Sequence, residues 1–172
     1  TSFADGTKVS FEQAIVANAT GMCVAKRGMA GPEHPGHIDD LLDFYDVDAL
    51  RALGGVVDYA LGSEPSPGVY VFGAHDDPRV HEFLHYAKMG KGPLYSFYIP
   101  YHLFHLEAPI SVARAALFRD TVLATDGPIR VEVVATAKRD LKAGEVLDGI
   151  GGFLSYGVCE NAWTSAAEGL LP

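Results

Sequence analysis

Two histidines and a glutamate lie close together where a β-prone aromatic run gives way to an apolar helical pattern. They are His102, His105 and Glu107, just after Pro100. Ionisable groups in apolar surroundings are costly to desolvate unless they are paired or take part in chemistry. If a helix begins at about Tyr101, the two histidines share its N-terminal face, where backbone N–H groups favour a neutral imidazole and bound anions.

These three residues are therefore candidates for catalysis. A neutral imidazole can act as an electrophile or general acid, and Glu107 can orient it or hold a divalent metal. In the alternative interpretation, His102 and His105 only hydrogen-bond to neighbouring backbone at a tight junction. The spacing leaves both interpretations open.

A loop rich in glycine and proline supplies two further catalytic candidates, Glu33 and His34. The segment 28–40 reads GMAGPEHPGHIDD, which cannot form regular structure. Long loops often carry function, but polar loops are usually just solvated. His37 and Asp39 add potential ligands, although His-x-x-His on a loop is a weak metal signal.

Four more side chains are candidates for binding a small anionic substrate. Lys8 precedes the first predicted helix, Lys91 lies between two glycines, and Ser96 lies on a predicted strand. Asn18 lies on the apolar stripe of the first helix. Its amide either bonds to backbone in the core, which we favour, or faces a ligand.

The elements that must position these residues predict an α+β fold, with an antiparallel or mixed sheet and helices packed mainly on one face. We expect about four to six strands in the sheet. His81 and His85 would lie one turn apart on a solvated helix face. The predicted helices cover 11–27, with Ser10 and Gly28 as caps, then 47–53, 79–89 and about 101–118; the predicted strands cover 56–61, 68–74, 94–99 and 129–135, the first two as a hairpin.

Composition excludes several classes of function. The 172 residues carry a net charge of −9, and no Lys/Arg cluster exceeds two residues, which argues against binding nucleic acid. No apolar run approaches the ~20 residues of a membrane span, and no signal peptide opens the chain. Cys23 and Cys159 lie far apart, so we expect reduced thiols and a cytoplasmic protein. The chain also lacks Gly-x-Gly-x-x-Gly after a strand, a P-loop and Gly-x-Ser-x-Gly, so it does not bind a dinucleotide by itself in the usual way.

Several blocks of the chain, in the same order, resemble a bacterial family of homoserine-dehydrogenase-like oxidoreductases with a C-terminal SAF domain. The best-known members of that family are the deoxyxylulose-phosphate reductoisomerase-like enzymes. The blocks that carry the resemblance are FEQAIVANATGM, GPEHPGH, HDDP, GPLYSFYIPYHLFHLEAPISVARA, VVATAKRDLKAGEVLDGIGG and YGVCENA.

The resemblance implies a Rossmann domain for NADP, a central catalytic and oligomerisation domain, and the SAF domain. This chain resembles the central domain (1–136) and the start of the SAF region (137–172), without the Rossmann domain. NADP would then be held mainly outside this chain, and the protein would form a homo-oligomer. Two alternatives stay open: a non-catalytic oligomerisation or carbohydrate-binding module, and a metal hydrolase that uses Glu33, His34, His37 and His105.

Overall fold

The computed structural model describes residues 2–125, 127–149 and 151–172 and shows a mixed α+β chain. The predicted fold class is confirmed, since helices accompany antiparallel strand pairs. A 3-10 helix covers Ile38–Phe44. The α-helices are α1 (Thr7–Thr20), α2 (Val47–Leu53), α3 (Pro78–Tyr86), α4 (Phe104–Phe118) and α5 (Ala162–Glu168); the strands are β1 (Val69–Ala74), β2 (Leu94–Ile99), β3 (Val131–Ala137) and β4 (Ser155–Asn161).

The strands form two separate two-stranded sheets among the described residues, so the expectation of one sheet of four to six strands is wrong. β1 pairs with β2, and β3 pairs with β4, both antiparallel. The predicted hairpin between 56–61 and 68–74 is also wrong. The segment 56–61 bonds elsewhere: the N–H of Val57 donates to Cys23 O at 2.9 Å. The backbone groups that a hairpin would need are therefore already in use.

The chain divides into two compact units, each built from separated segments. The first, the terminal unit, comprises Thr1–Gly31, Leu53–Tyr59 and Leu123–Pro172; the second, the inner unit, comprises Pro32–Ala52 and Ala60–Val122. The following description takes each unit by itself.

In the terminal unit α1 packs against β3 and β4. Its contact face is made of small residues, Ala14 and Ala17, which let the helix approach the strands closely. Cys159 of β4 lies in the same core, and its Sγ donates to Ser10 O at 2.9 Å. Burial raises the pKa of the Cys159 thiol to about 11. As expected, neither cysteine is in a disulfide.

α1 begins and ends earlier than predicted. Ser10 is not an N-cap but lies buried inside the helix, and the N–H of Thr7 donates to Asp5 Oδ1 at 3.0 Å at the helix start. The helix ends at Gly21, whose φ of 76° is left-handed. Glycine adopts this conformation without steric cost, so the first glycine after the helical pattern ends it, ahead of Gly28.

The inner unit follows the sequence pattern more closely. β2 has the predicted bounds. Asp46 Oδ1 accepts from Ala49 N at 2.7 Å at the start of α2. Asp77 caps α3, with Pro78 in the first turn, as predicted. α4 begins at Phe104 rather than Tyr101.

No helix in the described parts of the chain is long and apolar enough to cross a membrane.

Two asparagine amides join distant segments of the terminal unit. Asn18 Oδ1 accepts from Arg130 N at 2.7 Å and Val131 N at 3.0 Å, while its Nδ2 donates to Val131 O at 2.9 Å. Asn161 pairs in the same way with the N–H and C=O of Val24, at 3.0 and 2.9 Å. The amide of Asn18 thus satisfies backbone groups at the start of β3.

We therefore predict that Asn18→Leu lowers the free energy of unfolding by about 2–3 kcal/mol, because three partly buried backbone groups lose their partner. Urea unfolding would measure the loss. Glu12→Leu, an exposed change on the same helix, is the matched control and should cost under about 0.5 kcal/mol. Equal stability of the two variants would contradict the prediction.

A partly buried ion pair joins the N-terminal segment to Lys138. Lys138 Nζ donates to Asp5 Oδ2 at 2.5 Å and to Gly152 O at 2.6 Å. The hydrogen bond from Lys138, followed by that from Thr7, holds the pKa of Asp5 well below its usual range. A carboxyl with a lowered pKa stabilises the fold above its unfolded pKa of about 4, and this contribution is lost as the pH falls further.

We expect acid titration, followed by circular dichroism, to show a loss of stability that begins near pH 4. Asp5→Asn should be less stable at pH 7 and show a shallower acid limb, while Glu12→Gln should keep the parent profile. An Asp5→Asn profile parallel to that of the parent would refute this assignment.

Candidate functional site

The glycine- and proline-rich loop is held along its length by a second chain segment of the inner unit. The bonds alternate in direction: Leu61 N donates to Pro32 O and His34 N donates to Leu61 O, both at 2.9 Å. One step further, Glu64 N donates to Gly36 O at 2.9 Å and Ile38 N donates to Glu64 O at 2.8 Å. These bonds form two parallel bridges, Glu33 to Leu61 and His37 to Glu64. Residues 28–37 are irregular as predicted, whereas residues 38–40 belong to the 3-10 helix, where the prediction is wrong. The bridges fix the backbone of the loop from residue 32 onward.

Within this loop the structure brings His34 together with Asp40. His34 Nε2 lies 3.2 Å from Asp40 Oδ2. The backbone of His34 is anchored on both sides, because Ser63 Oγ also donates to its carbonyl at 3.0 Å. The side chain of His34 is 31% exposed. An anchored, partly exposed imidazole with a carboxylate on one nitrogen can exchange a proton through the other.

Gly36 leaves the space that this pair occupies. A Cβ at Gly36 would overlap Nε2 of His34 and lie 2.8 Å from Asp40 Oδ2. A side chain at position 36 would therefore displace the two groups from each other. The sequence reasoning missed Asp40. The only feature of the sequence that could have indicated the pairing is that Asp40 lies six residues after His34.

The other loop residues differ from His34. Glu33 is exposed. His37 Nδ1 accepts from Asp39 N at 3.2 Å, and its ring meets Tyr98 edge-on with centroids 5.3 Å apart. His37 thus caps the 3-10 helix and packs on β2.

The catalytic candidates at the start of α4 are not arranged as predicted. His102 lies before the helix, so the prediction that it shares an N-terminal face with His105 is wrong; the chain from Pro100 to Leu103 stays non-helical after the proline. His105 lies in the first turn, next to Phe104, with ring centroids 5.5 Å apart. His102, His105 and Glu107 are all exposed.

The predicted binding residues have different surroundings. Lys91 is exposed on the turn before β2, whereas Ser96 is buried and its Oγ has no hydrogen-bond partner among the described residues. Lys8 and Asn18 belong to the terminal unit. Lys8 Nζ lies 3.3 Å from the ring centroid of Phe3, and the amide of Asn18 is bonded to backbone.

Sequence reasoning also missed a contact between His81 and Tyr95. His81 Nδ1 lies 2.6 Å from Tyr95 Oη, and Tyr95 is almost fully buried. A Cβ at Gly92 would lie 2.6 Å from the same Oη. His81 is therefore a packed residue of α3, whereas His85 is exposed as expected. The helical spacing of the histidines gave no sign of the distant tyrosine.

The described residues contain no group of three or more His, Cys, Asp and Glu side chains that could hold a metal ion. The closest arrangements in the glycine-rich loop are two pairs, His34 with Asp40 and His37 with Asp39, each with its nitrogen and oxygen 3.2 Å apart. Two ligands on a partly exposed loop do not make a divalent site of the usual kind. The arrangement suits proton exchange and hydrogen bonding.

We predict that neutral His34 carries its proton on Nε2, because a carboxylate oxygen can only accept. Imidazole 15N chemical shifts report this tautomer. Asp40→Ala should reduce the preference for this tautomer by about 2–10-fold, the worth of one hydrogen bond. Asp39→Ala is the matched control and should leave His34 unchanged; an Nδ1-protonated His34 in the parent would refute the pairing.

Comparison with known protein families identifies a family for most of the chain. The family model described as "Oxidoreductase DRL, catalytic domain" matches residues 1–108, nearly two thirds of the chain. A search of curated proteins finds no match. Since the matched stretch is well over half of the 172 residues, the chain belongs to the oxidoreductase DRL catalytic-domain family.

Proposed function

We propose that this chain is the substrate-binding and catalytic part of an NADP-dependent oxidoreductase, homoserine-dehydrogenase-like or reductoisomerase-like. Its substrate would be a small phosphorylated or carboxylated polyol or keto compound. One observation carries the proposal: the catalytic-domain match ends at residue 108, and every side chain that the sequence pointed to lies before that limit.

The proposed roles follow the chemistry of each group. His102 and His105 polarise or protonate the substrate oxygen, and Glu107 orients a histidine. Lys91 neutralises an anionic group of the substrate, with Ser96 as a further binding candidate of the inner unit. Lys8, which belongs to the terminal unit, was the other lysine candidate, and the amide of Asn18 is already bonded to backbone. In the inner unit, His34 is the best-supported proton-transfer group, since its backbone is anchored and Asp40 orients its ring. Glu33 is the adjacent carboxylate.

The nicotinamide nucleotide does not fit the residues of this chain. Dinucleotide sites of the usual kind need a parallel sheet with a glycine-rich turn into a helix. The described strands form only antiparallel pairs, and the sequence lacks the glycine pattern. We therefore assign NADP binding mainly to a domain outside this chain and derive no chemical step from the cofactor.

A divalent metal also lacks a fitting ligand set in the described residues. The hydrolase alternative, which combined Glu33, His34, His37 and His105, thus has no structural support. His37 is engaged with Asp39 and Tyr98, and His105 lies on α4.

We further propose that residues 137–172 begin a SAF-like region after a central domain that ends at residue 136. The support is the sequence likeness and a compact turn at its start. Arg139 forms an ion pair with Glu145, whose Oε2 also accepts from Lys142 N at 3.0 Å. In the alternative function, a non-catalytic module, this segment would bind carbohydrate or a second subunit.

We expect His102→Ala or His105→Ala, in the protein that carries the nucleotide-binding domain, to lower turnover by ~10²-fold or more with the fold intact. His34→Ala should have a comparable effect. His85→Ala is the matched control, since it removes an exposed histidine of α3, and should retain turnover. Steady-state kinetics measures turnover, and circular dichroism shows whether the fold is kept. Full turnover in the His102 and His105 variants would remove these residues from the site.

A further inference from the structure

The buried hydroxyl of Tyr95 decides which ring nitrogen of His81 carries the proton. Tyr95 is 1% exposed, and its Oη lies 2.6 Å from Nδ1 of His81. Among the described residues, Nδ1 is the only hydrogen-bond partner of this hydroxyl. A buried O–H group without an acceptor is costly, so Tyr95 donates to Nδ1. A neutral His81 therefore has its own proton on Nε2.

His81 thus has one N–H group that packing does not use. The residue is partly exposed, and its Nε2 bonds to no residue that the structure describes. Because the hydrogen bond on Nδ1 fixes the tautomer and the ring orientation, Nε2–H is a donor in a defined position. An oriented donor of this kind is available to a ligand.

The turn 90–92 lies beside this imidazole. A Cβ at Gly92 would lie 2.6 Å from Tyr95 Oη and 3.3 Å from His81 Nδ1, so a side chain here would push the turn away. Gly90 and Gly92 both have positive φ, 124° and 72°. The N–H groups of all three turn residues donate to no acceptor in the described parts of the chain. Successive free N–H groups in a turn are a recurrent anion-binding element.

The charges near this turn favour an anion. Lys88 and Lys91 are exposed, and the described residues include no ion-pair partner for either of them. Asp77, at the start of α3, is already paired with Arg79 at 2.7 Å. Glu82 follows the histidine directly in α3, and helix residues one position apart do not face each other. Positive charge is therefore in excess here, although the whole chain carries a net charge of −9.

We propose that His81, Lys91 and the backbone of the turn 90–92 form a binding subsite for an oxyanion group, a phosphate or a carboxylate. The imidazole N–H, the ammonium and the backbone N–H groups are all donors, which selects a ligand group that only accepts. Tyr95 is a positioning residue that acts through His81. The inference rests on the proposed function in one respect, that the oxyanion group belongs to the substrate.

Binding of simple anions to the 172-residue chain tests the subsite without turnover. Inorganic phosphate and acetate are titrated separately at constant pH and ionic strength, with chloride as the control anion. We expect saturable shifts of the Gly90 and Gly92 amide signals with at least one of the two anions, with a dissociation constant of about 1 mM. The anion that binds more tightly identifies the group as a phosphate or a carboxylate.

Two variants separate ligand binding by His81 from packing. In His81→Asn the amide oxygen can still accept from Tyr95, but the Nε2–H donor is lost. We expect about tenfold weaker anion binding, the worth of one hydrogen bond to a charged group. Tyr95→Phe keeps the aromatic ring and should weaken binding about 2–5-fold, because His81 then exchanges between tautomers. His85→Asn, which changes an exposed histidine of the same helix, is the matched control and should bind as the parent does.

Three outcomes overturn the proposal. The first is the absence of saturation by either anion at ~100 mM, far above the expected dissociation constant. The second is a chloride titration that shifts the turn signals equally. The third is parent-like binding by His81→Asn with the fold kept in circular dichroism, which would show that the histidine only packs. Since none of these measurements involves turnover, they are independent of the His102 and His105 test of the proposed function.

Discussion

The short parallel ladder between Pro32–Ile38 and Leu61–Glu64 is the constraint on which the candidate site depends. Its backbone hydrogen bonds turn a seven-residue segment that contains two prolines and one glycine into a fixed support. His34 can hold a defined position next to Asp40 only because its own N–H and C=O are both bound. Side-chain chemistry on an irregular loop thus rests on main-chain bonds to a second irregular segment.

The polar groups of the inner unit fall into two kinds. His81 and His37 are used in packing, through Tyr95 and Tyr98. His34 keeps one ring nitrogen towards its carboxylate and part of its surface towards solvent. Proton transfer needs a group of the second kind, since a substrate must reach the ring. The engagement of the ring, rather than solvent access, distinguishes the two loop histidines. The side chain of His37 is the more exposed, 43% against 31% for His34, but its ring is used in a cap and in aromatic packing.

Local patterns predicted the local structure well, and long-range bonding explains the failures. β2, α2 and the Asp77 cap followed from propensity and turn chemistry that act over a few residues. The strand pairing of Val56–Leu61 failed because its partners, Cys23 and Pro32, are far away along the chain. The pairing of His34 with Asp40 likewise depends on how the loop closes. A single sequence contains the residues of such pairs but no signal that joins them.

The terminal unit also has a consequence for the order of folding. α1 must wait for β3 and β4, since the N–H of Gly157 bonds to Thr7 Oγ1 across 150 positions of the chain. The inner unit contains no residue beyond Val122. During synthesis, the ribosome therefore releases a complete inner unit while the first helix still lacks its sheet. Contacts of such long sequence separation form slowly, so α1 remains accessible to chaperones and proteases until β3 and β4 have been made.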